Sequence, residues 1–135
     1  MKAWPVSLLI LALLVAGAPL LAQQNQSNSA VPKYDPAAET VFKGAVDEVR
    51  DRECPVSRGV GSHVMLKLAE GKIIEVHIAP AKFVKSYEVT FNKGDQLEVT
   101  GTKVDFEGVQ TILAREIKRG SDTFAFRDKE GKPIW

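Results

Sequence analysis

The chain has one cysteine and two histidines, so sulfur or imidazole chemistry must fall to Cys54, His63 and His77. A cysteine thiolate and neutral imidazoles are the ligands that copper and zinc take. The two histidines sit on neighbouring apolar-alternating segments joined at residues 69–71. If Leu68 pairs with Lys72 across that connection, His63 stands directly opposite His77, close enough for two imidazoles to share one ion. A register displaced by two residues would pair Lys67 with Glu75 instead, and the alternation accepts both. Cys54 lies just before the first of these segments and supplies a third donor. His63, His77 and Cys54 are thus a candidate set for divalent copper or zinc, with both histidines expected on the wet face of a sheet; the plainer reading is two exposed strand histidines and a small buried cysteine.

Other chemistry is poorly served. The sequence holds no Gly-x-Ser-x-Gly, no Cys-x-x-Cys, no phosphate loop and no His-Glu-x-x-His. Nothing in the pattern orients a base toward Cys54. Asp47 and Glu48 are adjacent, so on a strand they point to opposite faces and make no carboxylate pair. No catalytic residue is assigned, and the chain reads as a binding protein rather than an enzyme, with no cofactor beyond that metal.

These residues have to be positioned by a small domain. Of 135 residues, 1–22 (MKAWPVSLLILALLVAGAPLLA) show one basic residue, a short apolar run and a small-residue end. That is a secretory signal, with cleavage expected before Gln23 and no stable membrane span left afterwards. Residues 23–37 form a polar leader with too little apolar surface to offset its ordering entropy. Residues 38–135 are the folded domain. The chain carries 18 Lys plus Arg against 17 Asp plus Glu, and loss of Lys2 with the signal leaves equal numbers. Such a balance disfavours a strongly basic nucleic-acid binder and an acidic tail protein. A lone cysteine excludes an intramolecular disulfide and a multi-cysteine cluster. The expected location is the periplasm or the medium outside the cell.

Within the domain, short strands dominate. Residues 39–50 read as a strand with Gly44 at a bend, and 51–61 as a charged loop. In 62–69 Val64, Leu66 and Leu68 alternate with His63, Met65 and Lys67. In 73–78 Ile74, Val76 and Ile78 alternate with Glu75 and His77. Residues 80–87 are the one helical stretch, with Pro80 in its first turn and Phe83 and Tyr87 four apart. Strands follow at 95–104, 109–117 and 122–127, and Trp135 is expected to dock back onto the barrel.

Three strands, a short helix and two further strands resemble the OB-fold. The stretch GDQLEVTGTKVDFEGVQTILAREI, within residues 94–117, is similar to the fourth and fifth strands of nucleic-acid-binding OB domains. The ending FRDKEGKPIW resembles small exported bacterial OB-like proteins. The resemblance implies an all-β, five- to six-stranded barrel with one short helix between strands 3 and 4, preceded by the signal peptide. It implies ligands across strands 2 and 3, hence at His63, Met65, Lys67, Glu75 and His77, and on loops 51–61 and 105–108. Arg50, Arg52, Arg58 and Lys67 would then form a basic rim. The predicted face lacks the aromatic platforms on which such domains stack bases. The reading is therefore an exported, non-catalytic OB-like module binding an envelope protein or a small ligand. Single-stranded nucleic acid is the alternative partner, and metal at His63 and His77 comes third.

Overall fold

The computed structural model describes residues 31–135, so the signal lies outside the described residues. The elements are β1 (Thr40–Cys54), β2 (Gly59–Leu68), β3 (Ile73–Pro80), α1 (Ala81–Ser86), β4 (Gln96–Phe106), β5 (Val109–Arg119) and β6 (Asp122–Ala125). They form one sheet in the order β3-β2-β1-β4-β5-β6, which closes into a barrel because β3 also pairs parallel with β5. This is the OB-like architecture, with its helix between β3 and β4.

The long β1 serves both halves of the barrel. Its first part pairs with β4 and its later part with β2, and Gly44 belongs to both ladders, opposite Leu68 and Leu97. A Cβ at Gly44 would run into the Lys67 carbonyl oxygen, so the strand can turn there only without a side chain. The barrel interior is filled by Val46, Val64, Leu66, Ile74, Val76, Ile78, Leu97, Val99, Ile112, Ile117 and Phe126, all buried. Each such aliphatic side chain stabilises the fold by roughly 1.5–3 kcal/mol relative to exposure.

Several boundaries move. Residues 51–61 are not a loop: β1 runs to Cys54 and β2 begins at Gly59, leaving a tight turn at 55–58. The charges of Asp51-Arg52-Glu53 suggested a loop, yet they alternate as a strand does, with Asp51 and Glu53 exposed and Cys54 buried. The helix is one residue shorter at each end than 80–87, because Pro80 closes β3 and serves as the N-cap. The hairpin adopts the register that pairs His63 with His77, not the one that pairs Lys67 with Glu75. Gly71, at φ 87°, takes the left-handed position that this turn needs.

The chain after β6 doubles back. Phe126 N–H donates to Arg115 O, and Asp128 and Lys132 close a turn around Gly131. Arg127 bridges to Pro133, and Ile134 N–H donates to Phe126 O. This hairpin lays Trp135 against Phe83 of α1 and His77 of β3. At the other end of the described chain, Tyr34 donates to Glu39 at 2.7 Å and lies under the Arg127 guanidinium.

Candidate metal centre

β2 carries no side chain at Gly59 or Gly61. Both face the same side as Cys54 and His63, since Cys54 pairs with Gly59 and Arg52 with Gly61. At Gly61 the missing side chain leaves room on the outer face of the barrel that Ser57, Cys54 and His63 occupy, whereas the space at Gly59 is open. A Cβ at Gly61 would meet Ser57 Oγ at 2.6 Å, His63 Cε1 at 3.0 Å and Cys54 Cβ at 3.2 Å. Across β2, His77 brings its ring to 5.0 Å from that of His63, with the planes at 72°.

One ligand atom each of Cys54, His63 and His77 lies within 4.8 Å of the other two. All three residues are buried, at 3%, 0% and 1% exposure. The expectation of wet-face histidines is thus wrong. They do point away from the barrel interior, but the 55–58 turn and Trp135 cover them. The placement of Cys54 in a loop is corrected as well, since it ends β1.

Each imidazole uses one nitrogen within the chain. His63 Nδ1 lies 3.1 Å from Gly61 O, and because a carbonyl only accepts, Nδ1 carries the proton. His77 Nε2 lies 2.8 Å from Ser57 Oγ. The other nitrogens, His63 Nε2 and His77 Nδ1, are buried without a hydrogen-bond partner. Buried polar atoms without partners are uncommon in folded proteins and call for an explanation. Metal-bound histidines show this division, one nitrogen anchored by the chain and the other left for the ion.

Electrostatics keep both rings neutral, as ligands must be. Burial, then the positive Arg52, holds His63 below its usual value. Burial pushes His77 down to about 3, with His63, Arg127 and Arg52 adding to the shift. Arg52 is itself engaged, donating through Nε and Nη2 to Glu75 Oε1 at 2.9 and 2.6 Å. That carboxylate oxygen lies 3.9 Å from His63 Nε2. Arg127 is buried, donates Nη1–H to Gly131 O, and stacks over Trp135 at 5.0 Å.

The remaining residues assigned from sequence do not converge. Met65 is half-buried and Lys67 exposed, one and two steps further along the same face of β2. Arg50 is exposed and paired with Glu48 at 2.8 Å, and Arg58 is exposed on the turn. With Arg52 committed to Glu75, the four basic side chains make no continuous rim. Residues 105–108 are not all loop: Asp105 and Phe106 still pair within β4, and the tight turn to β5 is Glu107-Gly108 alone. Sequence reasoning missed Ser57, Gly61 and Arg127. The signal for Gly61 was present, as two glycines alternating just ahead of a histidine in GVGSH.

No curated protein matches the chain. Among solved structures it is similar to a chain of the S. pombe Stn1-Ten1 complex, with a TM-score of 0.50 and 11% identity. That match covers 67% of this chain and 71% of the other, and it bears on the fold alone. The model of the MamS/MamX magnetosome protein family matches residues 38–124, from Ala38, two residues before β1, to Phe124 in β6. With well over half of its length matched in this way, the chain belongs to the MamS/MamX magnetosome protein family.

Proposed function

We propose that the chain is an exported, non-catalytic OB-fold module that binds one copper or zinc ion through Cys54 Sγ, His63 and His77. The carrying observation is the buried trio of donors within 4.8 Å, two of whose rings hold a nitrogen that no other group uses. Around it stand the parts that a metal site requires: Gly61 O and Ser57 Oγ orient the rings, and β-strands rather than a loop carry all three ligands. Export rests on the pattern of residues 1–22 and fits a lone, buried thiol that needs no disulfide partner.

A small ligand remains the second reading. It is favoured by a recess of about 560 Å³ between the 55–58 turn and Trp135, beside the trio. Nucleic acid has less support, because Arg50 and Arg52 are paired with Glu48 and Glu75 and the net charge is +1.

The test is titration of metal-free exported protein with Zn(II) and with copper, read by calorimetry and elemental analysis. One ion per chain is expected, with His77→Ala and Cys54→Ser both abolishing uptake. Substoichiometric uptake, or uptake indifferent to both substitutions, overturns the reading.

A further inference from the structure

We infer that the ion this centre selects is monovalent copper, held three-coordinate by Cys54 Sγ and one nitrogen each of His63 and His77. The inference rests on the metal-binding reading above and adds the identity and charge of the ion.

Donor number is the first ground. Structural zinc sites are four-coordinate, and three-ligand zinc sites keep a fourth position for water or substrate. Among the histidine, cysteine, aspartate and glutamate side chains of the described residues, the group comprises these three donors. The adjacent carboxylate, Glu75, gives Oε1 to two nitrogens of Arg52. Nor is the centre open to solvent as a water-bearing position requires, since no ligand residue exceeds 3% exposure. Three donors satisfy monovalent copper, which has a filled d shell and accepts trigonal coordination. Thiolate is the soft ligand that favours it.

Charge is the second ground, and it is independent. A buried centre is least costly when its charges cancel. Cys54 as thiolate contributes one negative charge, and Glu75 and Arg52 cancel each other. Monovalent copper on the thiolate therefore makes a neutral unit. Zn(II) on the same ligands leaves one positive charge in a buried site. That charge would stand near Arg127, which is buried and has no carboxylate partner among the described residues. The Trp135 ring neighbours both, 5.0 Å from the guanidinium and 6.3 Å from His77.

The experiment is anaerobic competition of exported protein against calibrated chelators, with Cu(I) and Zn(II) in separate arms, followed by X-ray absorption of the copper form. Expected are one sulfur and two nitrogen scatterers with no fourth ligand, and Cu(I) preferred over Zn(II) by more than on the order of 1,000-fold. Glu75→Gln should leave the Cu(I) scatterers unchanged. Arg127→Gln should raise Zn(II) affinity more than Cu(I) affinity. Because that variant also loosens the Trp135 clasp, Arg127→Lys, which keeps the charge, should leave the ratio near the parent value. A four-coordinate copper spectrum, Zn(II) affinity within about tenfold of Cu(I), or equal effects of Arg127→Gln on both ions overturns the inference while leaving a metal module. Failure of both ions to bind overturns the parent reading too.

Discussion

His63 and His77 are direct cross-strand partners, and each fastens its ring to the stretch ahead of or within β2, His63 to Gly61 O and His77 to Ser57 Oγ. Two buried imidazoles 5.0 Å apart therefore depend on one short segment, residues 57–61, for their orientation.

That dependence makes Gly61 the most sensitive position near the centre. Gly61→Ala puts a methyl group where Ser57, His63 and Cys54 already sit. Overpacking of this kind costs about 1–3 kcal/mol. Urea denaturation of the metal-free variant should show that loss, and metal titration should show a weakened site. An unchanged midpoint with full metal uptake would contradict the packing described.

Burial also changes what His77→Ala does to the metal-free fold. A wet-face histidine would be nearly neutral to replace. At 1% exposure the ring instead leaves a cavity and an unpaired Ser57 hydroxyl, for a cost of about 1–3 kcal/mol. Denaturant melts without metal check the magnitude, and a change under about 0.5 kcal/mol would place the ring at the surface after all.

Trp135 is the cover that keeps reagent and solvent off His77. In Trp135→Ala, diethyl pyrocarbonate should modify His77 under native conditions while the parent resists. Stability should fall by about 1–3 kcal/mol, since the indole is half-buried. Equal modification rates in the two proteins would show that the cover lies elsewhere.

Acid should loosen the barrel through Glu39. Arg115 donates two hydrogen bonds to that carboxylate, at 2.8 and 2.9 Å, and holds it below the usual carboxylate range. A lowered folded value means that the unfolded chain takes up the proton first. The contribution is thus complete above the ordinary glutamate value of about 4.3 and is lost as pH falls through the lower folded value. Arg115→Met should flatten this part of the acid limb in denaturation series run between about pH 5 and pH 3. An acid limb identical to the parent's would remove Glu39 from the account.

Much of the barrel was legible because alternation and turn chemistry are local. Gly71 marked the hairpin, but alternation accepted two registers, and only the structure sets His63 opposite His77. Gly44 marked the bend, and 80–87 the helix. Alternation also separated inner from outer side chains correctly at Val64, Leu66, Val76 and Ile78. What it cannot report is whether an outer face is covered. The cover on His77 is Trp135, nearly sixty residues away, brought there by a hairpin about Gly131. Cys54 was misplaced for a related reason. Four charged residues, Arg50 to Glu53, precede it, and composition outweighed an alternation that ran on to the end of β1.

The barrel closes over three residue pairs between β3 and β5, and His77 opposite Leu113 is one of them. Hoops fail at the joint, and here the joint holds a residue of the proposed metal centre. An ion on Cys54, His63 and His77 would rivet three consecutive strands beside that joint, so that prising β3 from β5 would mean dragging the rivet. Loading and unloading of the centre would then register as tightening and slackening of the whole hoop.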